Sequence, residues 1–217
     1  MNKAKNSTLG NAASSGEKPE LILASSSVYR AKLLKQLQLS FKQYSPNIDE
    51  SIKAHESAPE LAARLSLEKA QSLACHYSQS IIIASDQVAC ALNEQGEDDR
   101  IFGKPHTKEN AIEQLSFCSA KTVRFYTGLQ LLHSASGKTW SALESFDVKF
   151  RALDRAQLST YVDNEDVLDC AGSFKSEGLG VALFESFNGR DHNALIGLPL
   201  IALVDGLEYF GIDVLST

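Results

Sequence analysis

The chain has 217 residues, 43% of them hydrophobic and 22% charged, which suits a soluble protein with one larger domain or two small lobes around a real core. Its 21 Lys+Arg against 27 Asp+Glu leave a formal net charge of −6, so the surface does not attract polymeric nucleic acid, and a phosphate ligand must be held by a few focused cations. No apolar run is long enough to span a membrane, and the four cysteines and five histidines form neither a CxxC nor an HxxxH pair, which excludes a zinc or disulfide framework.

Residues 1–19, MNKAKNSTLGNAASSGEKP, are small and polar, lack the apolar stretch of a secretory signal, and read as a disordered tail before a domain at 20–211. Residues 21–24 then read as a buried strand that runs into three serines. Ser27 suits an N-cap, and Leu33, Leu34 and Leu37 give the following helix its inward stripe. Arg30 is out of place in that first turn, where a cation faces the positive end of the helix macrodipole. Either the turn is ordinary and the arginine solvated, or an anion occupies the turn and Arg30 neutralises it.

A polar loop, SPNIDES, carries Asp49 and Glu50. Ser57 with Glu60 predicts a capping box that opens a helix over 58–77. Leu61, Leu65, Lys69 and Leu73 form one i, i+4 stripe on that helix, so Lys69 either snorkels to the rim or points into a cleft. The stretch SIIIASDQVACAL reads as a buried strand interrupted at 85–87. Asp86 leaves that apolar run as a carboxylate, expensive unless a metal, a cation or a substrate meets it, and otherwise the first residue of a solvated loop.

NEQGEDDR reads as a surface loop, GKP with Lys104 follows, and Thr107 caps a helix to about residue 117. TVRFYTGLQLLH and TWSALESFDVKFR predict a β-hairpin, with Phe146, Val148 and Phe150 on its dry face. The SASGKT turn between them ends like a phosphate loop, but Leu132 stands where that motif requires glycine. Asp154 caps a helix containing Leu158, Tyr161 and Val162. GSFKSEGLG is a glycine-bounded loop with Lys175 and Glu177, followed by a strand at VALFESF, a turn at NGRD and a last helix from Pro199 to near Phe210. Helices interleaved with strands and hairpins predict a mixed α/β sheet, and the cysteines read as small buried residues of a reducing compartment.

The motifs LILASSSVYRAKLL, DE at 49–50, EKA at 68–70, SDQVA, GKP, FYTGL, AGSFKSEGLG and GLPLIAL stand in the order seen in the Maf family of nucleotide pyrophosphatases. The resemblance covers about residues 20–210 and is nearest to the YceF-like subgroup, whose substrate is 7-methyl-GTP. It implies an elongated, two-lobed α/β fold, a sheet flanked by helices, similar to the inosine triphosphate pyrophosphatases. It further implies a cytoplasmic homodimer that uses a divalent cation, Mg²⁺ or Mn²⁺, to split a nucleoside triphosphate into monophosphate and pyrophosphate. By the same resemblance the catalytic carboxylate falls on Asp86. Phosphate-handling positions fall on Ser25, Arg30, Lys69, Lys104 and Lys175, an acidic position on Glu50, and specificity positions on Tyr29, Gln87 and Glu177. The family's usual SxSPRR is SSSVYR here, with Val28 for the proline and Tyr29 for the first arginine. A carboxylate such as Glu177 would accept the two adjacent N–H donors of guanine and favour the positive charge that N7-methylation adds, while Tyr29 would stack on the base. A dTTP/UTP pyrophosphatase of the same family, or a non-catalytic nucleotide-binding or septum-regulating protein, are the alternatives.

Overall fold

An unbroken strand of 13 residues, β3 (Ser80–Leu92), is the spine of the molecule, whose computed structural model describes residues 19–216. The tail expected at 1–19 thus lies, but for its last residue, outside the described residues. Along one edge β3 pairs antiparallel with β5 (Thr122–His133), from Ile81 opposite His133 to Ala91 opposite Val123. Its other edge is shared. The first half takes β1 (Glu20–Ala24) in parallel, ending at Ala84, and the second half takes β4 (Asp98–Phe102) antiparallel, starting at Ala89. Between those two residues this edge has no strand partner among the described residues, and the sheet forks.

The mixed seven-stranded sheet is completed by β2 (Phe41–Tyr44), parallel to β1 at one side, and by β6 (Thr139–Phe150) and β7 (Phe184–Gly189), antiparallel beyond β5. Around the first half of β3, the strand's alternation sends Ile81 and Ile83 to one face. There they pack with Leu33 and Leu34 of α1 (Val28–Gln36) and Leu203 and Leu207 of α6 (Leu200–Tyr209). Ile82 and Ala84 point the opposite way, onto Ala70 and Leu73 of α2 (Ala58–Ala74). Around the second half, α3 (Lys108–Cys118) and α4 (Arg155–Asn164) cover a separate core rich in edge-to-face rings, Phe125, Phe150, Phe174 and Phe184. These are the two lobes, joined by the strands that run through both.

Gly128 brings α2 down onto the sheet. A Cβ there would collide with the carbonyl oxygen of Ala62, so only glycine lets the helix backbone lie against β5. The helix entry follows the sequence signal: the Glu60 carboxylate accepts from both the backbone N–H and the hydroxyl of Ser57, at 2.9 and 2.6 Å.

Four sequence expectations are corrected. The strand at 80–92 is not interrupted at Ser85–Gln87, because β5 satisfies its backbone there and each of the three polar side chains finds a partner off the sheet, Ser85 at Gly197, Asp86 at Lys69 and Gln87 at Ala194. Asp98–Arg100, read as part of a surface loop, open the short edge strand β4, and FKQY, for which the sequence signalled no element, is the edge strand β2; both are mostly exposed and too short for an alternation to announce them. A five-residue helix, α5 (His192–Ile196), stands between β7 and Pro199, and VAL at 181–183 belongs to a 3-10 turn (Leu179–Leu183) instead of the strand. Of the cysteines only Cys90 and Cys118 are buried, with burial pushing their thiols up to about 11 and about 12; Cys170 is half-buried and Cys75 exposed. Among the described residues, no helix is long and apolar enough to cross a membrane.

Candidate active site

The fork in the sheet is where the polar residues gather. β1 ends at Ala24 and the chain turns through Ser25–Ser27 into α1, while on the other side of the fork β4 leads into Gly103 and Lys104. A cleft of about 890 Å³ opens there, lined by both loops, by α2, by Asp86 and Gln87 of β3, and by the 166–177 segment of the second lobe. That volume is within the range of small-molecule sites.

On the α2 side of β3, Asp86 lies 7% exposed and Lys69 5% exposed. The lysine of the inward stripe therefore points into the cleft, and its ammonium joins two carboxylates: Asp86, by a hydrogen bond, and Glu50, from the loop before α2, at 2.7 Å. Glu50 is itself half in solvent. Burial raises its pKa, but the Lys69 hydrogen bond and the charges of Lys69, Lys104 and Arg30 outweigh this and hold the carboxyl below its ordinary value.

The Glu50 loop is fixed from α2. Arg64 donates to both oxygens of Glu56, at 2.5 and 2.8 Å, to Glu68 at 3.1 Å and to the carbonyl of Ser51 at 2.9 Å. The hydrogen bonds of Arg64 and of the Lys53 N–H hold the Glu56 carboxyl down at about 2. Nothing in the sequence pattern singled out Arg64, since a charged i, i+4 pair on a helix face is ordinary.

On the opposite face of β3, Ser85 and Gln87 meet the end of α5. The Gln87 amide donates to Thr127 Oγ1 at 3.2 Å and to the carbonyls of Ala194 and Leu195 at 2.7 and 2.9 Å. Those carbonyl acceptors fix which end of the amide is nitrogen, so its oxygen is left for the cleft. Ser85 Oγ lies 2.8 and 2.9 Å from the carbonyls of Gly128 and Gly197. The Gly197 carbonyl also takes the Arg30 Nε–H at 2.8 Å, and Arg30 Nη1 lies 3.4 Å from Ser25 Oγ.

This resolves the misplaced arginine. Ser27 caps α1 by accepting from the Arg30 N–H at 3.3 Å, and the Arg30 side chain leaves the helix for the cleft. Burial lowers its pKa from the ordinary value, with Asp86 and Glu50 acting against that. Gly197, in the left-handed region at φ 115°, is 3.2 Å from Arg30 Nε at the place a Cβ would occupy, so it serves both the turn and the close approach.

Lys175 and Glu177 reach the same cleft from the second lobe, and Lys175 Nζ lies 5.9 Å from the centroid of the Tyr29 ring, with Lys32 Nζ at 5.8 Å. Burial works to lower the Lys175 pKa, but its hydrogen bond with Tyr29 and nearby negative charge leave it raised. All ten residues singled out in the sequence thus line one cleft. They do not form one cluster: Lys69, Glu50 and Asp86 are in contact, Arg30 joins Ser25, and Tyr29 is near Lys175, while Gln87 is braced on α5. Sequence reasoning missed Asp166, Asp169 and His106, which also line the cleft and carry no motif.

Residues 20–210 match the Maf family, described as Maf-like protein. A Pseudomonas aeruginosa protein named 7-methyl-GTP pyrophosphatase is 54% identical over 196 residues, spanning 90% of this chain and 99% of the relative. A Pseudoalteromonas translucida protein of the same name is 50% identical over 196 residues, spanning 90% and 94%. Among solved structures, the Staphylococcus aureus Ham1 protein aligns with a TM-score of 0.44 at 14% identity, over 61% of this chain and 72% of that one. A HAM1 protein from Coxiella burnetii aligns at 0.39 and 14%, over 68% and 100%.

Proposed function

The chain belongs to the Maf family, and from that premise we propose that it is a nucleoside triphosphate pyrophosphatase that hydrolyses 7-methyl-GTP to 7-methyl-GMP and pyrophosphate. The observation that carries the reading is the Glu50–Lys69–Asp86 chain, buried at Lys69 and Asp86, in a cleft that also holds Arg30, Lys104 and Lys175. The two relatives named above supply the substrate.

Charge in the cleft bears on the cation. Its lining places four cations, Arg30, Lys69, Lys104 and Lys175, against five carboxylates, Glu50, Asp86, Asp166, Asp169 and Glu177. A bare triphosphate would enter a cleft that is already slightly acidic. A triphosphate accompanied by Mg²⁺ or Mn²⁺ meets Glu50 and Asp86, a pair of carboxylates of the kind Mg²⁺ uses alongside phosphate oxygens and water. When bound, the cation supplies positive charge against the triphosphate.

The chain's own groups then do the following. Arg30, held by Gly197, and the Ser25 turn receive phosphate oxygens, with Lys104 closing from the far side of the fork. Asp86 gives one carboxylate oxygen to Lys69 and offers the other to the attacking water, orienting it and taking its proton as the bond to the α-phosphorus forms and the pyrophosphate leaves. Lys69 keeps Asp86 and Glu50 apart in charge and together in place. Glu177 accepts from the guanine N–H donors, beside Tyr29 and the Gln87 amide oxygen. The enzyme works on a small nucleotide as a cytoplasmic homodimer.

Pyrophosphate release from a panel of nucleoside triphosphates, 7-methyl-GTP, GTP, dTTP and UTP, with Mg²⁺, Mn²⁺ or neither, tests the reading. A preference of at least about tenfold in kcat/KM for 7-methyl-GTP is expected. Preference for a pyrimidine nucleotide, or release from none, overturns it.

A further inference from the structure

Helix α4 lines no part of the cleft, yet its last turn holds the loop that does. Tyr161 stands in that last turn, and Glu165 is the residue just after the helix, where the backbone turns extended. The Tyr161 hydroxyl accepts from the Lys175 N–H at 3.1 Å, and the Glu165 carboxylate accepts from the Leu179 N–H at 2.7 Å. The two bonds bracket Lys175, Ser176 and Glu177, the stretch that stands against Tyr29 and the cleft.

The Glu165 bond replaces a cap that the loop cannot make for itself. The 3-10 turn at Leu179–Leu183 begins after Gly178, which has no side chain to accept from the turn's first N–H groups. Glu165 fills that place from another element, and it does so at close quarters: a Cβ on Gly178 would collide with its Oε2. At the other bond the fit is equally tight. A Cβ on Gly180 would collide with the Lys175 carbonyl and come within 3.2 Å of the Tyr161 hydroxyl. Burial pushes the Tyr161 phenol up, with the Lys175 N–H acting against that, so the group stays a neutral hydroxyl. Both glycines of the SEGLG stretch thus serve the approach of α4.

We infer that Tyr161 and Glu165 are positioning residues for substrate selection: they set where Lys175 and Glu177 stand in the cleft, although neither touches it. This rests on the 7-methyl-GTP reading for the choice of ligand, and on geometry alone for the clamp. Loss of either bond lets the 175–179 segment swing, which weakens nucleotide binding and the distinction between methylated and plain base, while Asp86 on β3, Lys69 on α2 and Glu50 on the loop before α2 are undisturbed.

The test compares wild type, Glu165→Ala, Glu165→Gln and Tyr161→Phe. Amide exchange at Lys175 and Leu179 is read in the nucleotide-free protein, Kd for 7-methyl-GTP and GTP without divalent cation, and KM and kcat with it. Glu165→Ala is expected to expose the Leu179 amide, and to raise Kd and KM for 7-methyl-GTP about tenfold, the effect of one lost hydrogen bond to a charged group, with kcat within about twofold. Glu165→Gln keeps an acceptor and restores both, and Tyr161→Phe exposes the Lys175 amide with a smaller rise in KM. The inference is overturned if Glu165→Ala leaves Leu179 protected, if exchange rises while Kd and KM stay put, or if Glu165→Gln is as impaired as Glu165→Ala. Wild-type turnover of 7-methyl-GTP reports separately on the substrate reading, since exchange and Kd need no turnover.

Discussion

Replacing Asp86 with asparagine separates chemistry from folding more sharply than any other change in the cleft. The amide has the carboxylate's shape, and its oxygen still accepts from Lys69, so what is lost in stability is the difference between a hydrogen bond to a charged acceptor and one to a neutral acceptor, about 1–1.5 kcal/mol. Glu50 remains 2.7 Å from the same ammonium, so Lys69 is not left as an unpaired buried charge. For a chain of this size about 1 kcal/mol moves Tm by about 2–4 °C, which puts the expected drop at a few degrees. The catalytic loss is of a different order, because an amide neither takes a proton nor carries the charge that a cation needs, and turnover should fall at least about a hundredfold. Pyrophosphate release under saturating 7-methyl-GTP and Mg²⁺, alongside a thermal melt, gives both numbers. Lys69→Met is the companion, since it strands the buried Asp86 carboxylate without its partner, while Glu50 can turn to water, and should cost about 3–5 kcal/mol. A folded Asp86→Asn protein with turnover within about tenfold of wild type would refute the assignment of Asp86.

Glu177→Gln alone should lower kcat/KM for 7-methyl-GTP about ten- to a hundredfold with Tm unchanged, as the side chain is exposed and its charge-assisted pairing is lost; equal loss for dTTP would count against a base contact. Pairing it with Gln87→Thr is uninformative, because the Gln87 amide braces two carbonyls of α5 and the Thr127 hydroxyl of β5, and its loss should lower Tm by itself. Gly128→Ala drives a methyl group into the α2 backbone and should cost about 1–3 kcal/mol, seen as a lower denaturation midpoint, with activity falling because Lys69 rides on that helix. Glu56, ordinarily near 4.5 and held at about 2, stabilises the fold above pH 4.5, and that contribution disappears as pH falls through about 2. The Tm gap between wild type and Glu56→Gln should therefore be full at pH 6 and close toward pH 2, and a gap independent of pH would show that Glu56 gains nothing from its charge.

The elements legible in the sequence are those whose periodicity meets a buried face. Leu33 and Leu34 on α1, Leu61, Leu65 and Leu73 on α2 and Phe146, Val148 and Phe150 on β6 each recur at the period of their element, and each is buried as expected; Lys69, left open between rim and cleft, is buried with its stripe. The strands β2 and β4 escaped because they are short and mostly face solvent: only Phe41, Ile101 and Phe102 reach a core, too few to set a period, so backbone pairing defines them. The supposed break at Ser85–Gln87 failed for the opposite reason. Polar residues inside an apolar run mark a turn when water is their partner, but here Lys69, Gly197 and the end of α5 supply the partners from both faces of the sheet. Local pattern carries no record of elements that arrive from a hundred residues away.

That same failure is what makes the site recognisable. A strand that continues through Ser-Asp-Gln has to place Asp86 on one face and Ser85 and Gln87 on the other, so its polar triplet reaches both α2 and α5 at once. Because β1 stops at Ala84 and β4 starts at Ala89, the triplet also coincides with the gap on the shared edge. The two halves of the proposed phosphate site come from the two sides of that gap: Ser25 and Arg30 from the end of β1, Lys104 from the end of β4. A carboxylate in a long apolar strand and a cation in an inward helical stripe were each ambiguous alone, solvated residue or site. Their ambiguity ends when both are read together, since a buried Lys69 needs an acid and a buried Asp86 needs a base, and a sheet that forks beside them leaves room for what they act upon.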